Sequence, residues 1–192
     1  MVLDGLLARS VGYDDLCSQE LIGPGDLLRP WDDEGAVASV PATTTWSVLA
    51  PTRVALLDGR FASVACRWPT VVAALFARTV DRSRALSVHL AISQARQAEV
   101  RLLLLFWHLA DRWGRVGRDG TVVSLRLTHE RIAQLVCLRR PTVSMTLQRL
   151  AQDGTLIRRP DGSWVLPKPP PDATELTRGG VMTRGVEEPV AV

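Results

Sequence analysis

The sequence predicts an α+β chain in three parts: short strands first, long helices in the middle, and two short helices with a hairpin at the end. Apolar runs in the first 64 residues are short and broken by turn residues, as strands are. From about Trp68 the texture changes, and almost no turn residues interrupt roughly the next 45 positions. Residues 127–150, "LTHERIAQLVCLRRPTVSMTLQRL", then pair two helical patterns across a tight break.

At 192 residues and 46% apolar, the chain is long enough to bury a core in one generous domain or two small ones. Its net charge of +3 hides a division. Residues 1–80 carry six Arg against nine acids, whereas 81–120 carry seven Arg against four and 121–164 carry seven against three. Positive charge in the middle and C-terminal parts suits a polyanionic partner. Nearly every cation is Arg, and Lys168 is the only Lys; a GC-rich coding bias explains this more simply than selection for guanidinium chemistry. Cys17, Cys66 and Cys137 are scattered without metal spacing and suit a reducing cytosol. Asp4 and Arg9 interrupt any signal peptide. The most apolar stretch, "VRLLLLFWHLA" at 100–110, is too short for a bilayer and contains Arg101 and His108. A soluble, cytoplasmic protein with no membrane partner is expected.

Residues 1–64 read as β, in runs such as "GLLARSV", "ELIGPGDLL", "TTTWSVL" and "TRVALLD", with Pro24-Gly25-Asp26 as a tight turn. Residues 31–44 read as a loop. Pro69 suits the first turn of a helix, and Gly114 and Gly117 close the helical segment. The stretch reads as two or three helices, one of them long, with Leu86, Leu90 and Ala91, then Ala95 and Ala98, at helical spacing. Asp119-Gly120 is a turn and "TVVSLRL" a short strand. "GTLIRRPDGSWVL" is a hairpin turning at Pro160-Asp161-Gly162. Residues 167–192 are rich in Pro, Gly and acid and are expected to be disordered.

Within 127–150, Thr128 is a good N-cap and Glu130 favours the positive helix end. Ile132, Ala133 and Val136 face one way; small Ala133 allows a second helix to cross closely. Pro141 opens the second helix, 141–151, whose buried stripe is Val143, Leu147 and Leu150. The opposite face presents Arg140, Pro141, Ser144, Met145 and Gln148. This is a helix-turn-helix layout, in which the second helix enters the DNA major groove. The hairpin is its wing, with Arg158 and Arg159 placed for phosphates. Arg139 and Thr142 are also candidates for the phosphate backbone, as is His129 in the first turn of its helix. Two features depart from the pattern. Cys137 occupies a turn position where Gly is common, so a positive φ there would be strained, and Thr146 stands where an apolar residue is usual.

The order of parts resembles the Crp/Fnr transcription regulators: "ELIGPGDLLRPW", "TRVALLD", "LTHERIAQLV" and "RRPTVSMTLQRL" carry the likeness over roughly residues 1–166. The resemblance implies a partial cyclic-nucleotide-binding-like β-roll over 1–80, dimerisation and linker helices over 81–114, and a winged helix-turn-helix over 115–166. It also implies a homodimer joined along a long helix of about 81–99 through Leu86, Leu90 and Ala91, an inverted-repeat operator in double-stranded DNA, and RNA polymerase as a partner. Arg140 matches the family's guanine-reading Arg; the acidic residue that usually follows is Pro141 here, and a further Arg is Met145. The roll looks shortened at its first strands. The family's Glu after the glycine-rich turn falls near Pro30, and its phosphate-capping Arg-Ser pair falls in "PATTTW", which has no Arg. A cyclic-AMP response is therefore not expected, and the effector is open. Iron–sulfur ligation of the Fnr type needs four cysteines. His89 and His108 leave haem open, although a histidine on an apolar helix is ordinarily structural.

The reading is thus a sequence-specific dimeric DNA-binding regulator with no cofactor assigned. The alternative is a protein-interaction module that binds polymerase or another transcription component without reading sequence. No nucleophile–base set, carboxylate pair, phosphate loop or metal cluster suggests an enzyme.

Overall fold

The computed structural model describes residues 1–14, 16–28, 41–167 and 169. They divide into two compact units: Met1–Leu90 with Glu130–Cys137, and Ala91–His129 with Leu138–Val192. The loop expected at 31–44 lies outside the described residues as far as 40. The tail expected at 167–192 lies outside them at 168 and from 170 onward.

In the first unit, β1 (Val2–Tyr13), β2 (Leu16–Ile22) and β3 (Thr43–Val54) form an antiparallel sheet in the order β2-β1-β3. The β1–β3 register runs from Val2↔Val54 to Gly12↔Thr43 and shifts between Val2 and Leu7. Gly5 sits at that irregularity with φ +94°, where a Cβ would lie 2.2 Å from the Pro51 carbonyl oxygen, so only glycine fits. The two apolar runs "TTTWSVL" and "TRVALLD" contribute to one strand rather than two. Pro51 between them is tolerated because β3 is an edge strand. The Pro24-Gly25 turn forms as expected. Asp26 is buried, its carboxylate accepts from the Gly23 N–H at 2.8 Å, and Val2 N–H donates to the Asp26 carbonyl at 2.9 Å.

Strand structure does not continue to residue 64. Residues Gly59–Ala65 form α1, because the Asp58 side chain caps it by accepting from Phe61 N–H at 2.9 Å. The long helix also differs from expectation. α2 spans Pro69–Ser93 rather than about 81–99, beginning at the proline that suits a first turn and ending before a break at residues 94–97. Arg101 closes that break by donating from Nε to the Ala95 carbonyl at 2.9 Å.

In the second unit, α3 (Ala98–Trp113) buries Leu102, Leu105, Phe106 and Leu109, one stripe at helical spacing. A four-stranded antiparallel sheet follows in the order β4-β5-β7-β6, from β4 (Gly114–Gly117), β5 (Gly120–Val123), β6 (Ile157–Arg158) and β7 (Trp164–Leu166). β4 was not expected, since "GRVG" reads as a helix stop. It forms because Arg118-Asp119 makes a two-residue hairpin that pairs Gly117 with Gly120. Trp164 is buried with its ring centroid 4.8 Å from that of Phe106, an inclined aromatic pair at the centre of this core. No helix among the described residues is long and apolar enough to cross a membrane.

Gly120 has φ +120°, and a Cβ there would sit 2.3 Å from the Leu166 carbonyl oxygen. Gly120→Ala should therefore cost about 1–3 kcal/mol in backbone strain, with the steric clash adding to it. Gly154, at φ +63° with open space around it, should lose only ~1–2 kcal/mol on the same change. Urea denaturation of the two variants checks the difference.

Candidate nucleic-acid interface

The expected pair of short helices is present as α4 (His129–Leu135) and α5 (Arg140–Gln152). On α4, Ile132 and Ala133 are buried, and Val136 just beyond it is buried too. On α5 the buried residues are Val143, Thr146, Leu147 and Leu150, and Pro141 lies in the first turn. Thr146 tolerates burial because its hydroxyl donates to the Thr142 carbonyl at 2.8 Å within the same helix. Cys137, in the turn, has φ +52°, the left-handed conformation that the glycine-like position demands.

The other side of α5 faces solvent. Arg140, Pro141, Met145 and Gln148 are exposed, Met145 at 71%, while Thr142 and Ser144 are half-buried. Arg139 and Thr128, just before α5 and α4, are exposed as well. His129 reaches α5: its Nδ1 lies 2.8 Å from the Ser144 hydroxyl. Arg158 is exposed on the wing with its guanidinium 5.4 Å from the Trp164 ring centroid. Arg159, expected to touch phosphates, is half-buried and paired with Asp119 at 3.0 Å, which ties the wing to the β4–β5 turn.

One cation escaped the sequence reading. The side chain of Arg126 lies against the wing turn, where a Cβ on Gly162 would meet its Cγ at 3.3 Å. The turn itself is fastened by Asp161, which accepts from the Ser163 N–H at 2.8 Å and the Ser163 hydroxyl at 2.7 Å. These bonds hold its carboxyl below the ordinary value.

A separate surface lies on α2. One face is turned to its own unit by polar bonds: Arg78 donates to the Gly25 carbonyl, and Arg82 donates to Glu20 at 2.7 Å and to the Leu27 carbonyl at 3.0 Å. His89 Nε2 lies 2.7 Å from the Leu135 carbonyl; a carbonyl only accepts, so this nitrogen carries a proton and is not a free metal ligand. About a quarter turn round, Val72, Phe76, Leu86 and Leu90 are exposed at spacings of three and four, with Thr79 and Ser83 between them. The expected dimerisation residues Leu86 and Leu90 belong to this stripe; Ala91 is exposed beside it.

The family profile described as a Crp-like helix-turn-helix domain matches residues 100–170. Among curated proteins none matches the sequence. Solved structures share the fold. A CooA mutant from Carboxydothermus hydrogenoformans aligns at 19% identity over 93% of this chain and 77% of that one, with a TM-score of 0.66. A cyclic nucleotide-binding domain containing protein from Listeria monocytogenes aligns at 16% over 87% and 78%, TM-score 0.68. FixK2 from Bradyrhizobium japonicum aligns at 20% over 93% and 84%, TM-score 0.59. Residues 100–170 thus resemble a Crp-like helix-turn-helix domain, and the chain shares the fold of these solved structures.

Within the matched segment His129 is held below the ordinary imidazole value of 6.5 by burial first, then by the charges of Arg158 and Arg140. The folded state thus binds protons less readily than the unfolded chain. Stability contributed by neutral His129 is present above about pH 6.5 and is lost as the pH falls below it, levelling off once the folded imidazole is protonated too. NMR titration of the His129 ring, beside urea unfolding at several pH values, checks both the direction and the window.

Cys137→Gly should relieve the left-handed strain of a residue carrying a Cβ, offset in part by the greater backbone entropy of glycine in the unfolded chain. A net gain of about 0.5–1 kcal/mol is expected, read as a rise in Tm.

Proposed function

We propose that the chain is a sequence-specific, dimeric DNA-binding regulator of transcription whose α5 enters the major groove. The observation that carries this is the division of α5 into a buried stripe and an exposed face. With Val143, Leu147 and Leu150 turned inward, Arg140, Ser144, Met145 and Gln148 are left for base edges. Arg140 is the guanine reader, since a guanidinium donates two parallel hydrogen bonds to O6 and N7. Arg139, Thr142 and Arg158 hold the phosphate backbone, with Thr128, Pro141 and Arg126 bordering it.

The dimer is a second copy of this chain packed along α2. The exposed Val72, Phe76, Leu86 and Leu90 stripe supports it, because each copy presents the same patch to the other. Two recognition helices then favour an inverted repeat with half-sites about one helical turn, or a multiple of it, apart. RNA polymerase is the partner this function requires. Cyclic AMP is not the effector, since "PATTTW" at 41–46 lacks the Arg that would meet a cyclic phosphate. A mobility-shift titration against random-sequence duplexes tests the whole reading. Sequence-specific shifts with steep salt dependence support it; capture of polymerase without any shift would favour the interaction module instead.

Arg140→Ala should relax specificity at one base pair per half-site by roughly 1–3 kcal/mol while leaving the salt slope nearly intact. Arg158→Ala should weaken binding to every sequence and make the slope shallower. Binding-site selection on the two variants distinguishes them.

Leu90→Glu and Phe76→Glu should each convert the dimer to a monomer by light scattering, because either substitution buries two like charges at a symmetric contact. A Phe76 variant that stayed dimeric would confine the interface to the C-terminal half of α2.

A further inference from the structure

We infer that His129 is a positioning residue for sequence readout: its Nδ1 accepts a hydrogen bond from the Ser144 hydroxyl, which leaves Ser144 only as an acceptor toward DNA and so selects a base carrying an exocyclic amino group. This rests on the reading that α5 lies in the major groove.

A serine hydroxyl is ordinarily indifferent in the groove, because it can donate or accept. Ser144 is not in that position. Its Oγ lies 2.8 Å from His129 Nδ1, so the pair shares one hydrogen. Ser144 lies one helical turn beyond Arg140 and one before Gln148, on the same face of α5. The charges that face the imidazole are Arg140 on α5 and Arg158 on the wing; Glu130 follows it on its own helix.

Partial burial first, and then the charges of Arg158 and Arg140, disfavour the imidazolium and favour the neutral ring. With the ring proton on Nε2, Nδ1 is an acceptor, and the Ser144 hydroxyl donates to it. Only lone pairs of Ser144 then remain for DNA. They match the N4 amino group of cytosine or the N6 amino group of adenine and oppose the acceptor-only edges of guanine and thymine. Protonation of His129 reverses the bond. Nδ1–H then donates to Ser144, whose own hydrogen is released toward an acceptor such as guanine O6 or thymine O4.

The test is selection from a random duplex library at about pH 8 and about pH 5.5, on either side of ordinary imidazole titration. The wild-type chain, Ser144→Ala and His129→Ala are compared, each first shown to fold by its melting curve. The wild type at high pH should prefer adenine or cytosine at one position per half-site by about 3- to 10-fold, the effect of one neutral hydrogen bond. That preference should vanish or invert at low pH. Ser144→Ala should lose it at both pH values. His129→Ala should lose both the amino preference and its pH dependence, while the guanine preference from Arg140 persists. Sequence selection that is intact at every position in His129→Ala overturns the inference and leaves the DNA-reading proposal standing. So does uniformly weaker binding of His129→Ala with a shallower salt slope, which would make His129 a phosphate clamp. A wild type that selects no sequence at all overturns the reading and this inference together.

Discussion

The burial of Val143, Leu147 and Leu150 determines which way α5 faces, and the candidate interface depends on that orientation. Each of these side chains contributes roughly 1.5–3 kcal/mol when removed from water, and all three are buried. A rotation of one residue about the helix axis would expose them. The exposed ion pair between Arg149 and Glu99 joins α5 to α3 as well, but a pair so open to water adds little. The outward direction of Arg140, Met145 and Gln148 is therefore set chiefly by apolar packing, with the His129–Ser144 hydrogen bond beside it. The Phe106–Trp164 pair belongs to the same core and links that packing to the wing.

The polar side of the interface has its own internal order. Arg140 and Arg158 stand near the His129 ring, whose burial first, and then their charges, disfavour its cationic form and so a third like charge at the same spot. Arg159, held by Asp119, contributes less net charge to the same surface.

The helix-turn-helix and its wing were legible because their signals are local. Pro141 in a first turn, the stripe at 143, 147 and 150, and the Pro160-Asp161-Gly162 turn each act within a few residues. Cys137 was legible for the same reason, since a turn of that length needs a positive φ whatever residue fills it. The misses came where a local signal had two meanings. "GRVG" ends a helix and also begins a strand, and only pairing with Gly120–Val123 decides between them. Asp58 could close a strand or cap a helix, and its bond to Phe61 N–H decides for the helix. Pro69 signalled a helix start, but the stretch to Trp113 holds almost no turn residues to show that one helix runs unbroken from there to Ser93, so that Val72 and Phe76 share a helix with Leu86 and Leu90. His129–Ser144 and Arg159–Asp119 join residues 15 and 40 positions apart, so no periodicity could announce them.

If the proposed dimer forms through α2, the chain counts its own copies. The inward face of α2 is fastened by Arg and His side chains to carbonyl groups and to Glu20, while its outward face carries Phe76 and Leu90 into solvent. With a second copy as the occupant of that outward face, operator occupancy follows the dimer rather than the chain. At concentrations where single chains predominate, halving the amount of protein lowers the dimer about fourfold by mass action. A promoter read this way switches over a narrower range of expression than a single-chain reader would permit, with no effector needed to sharpen the response.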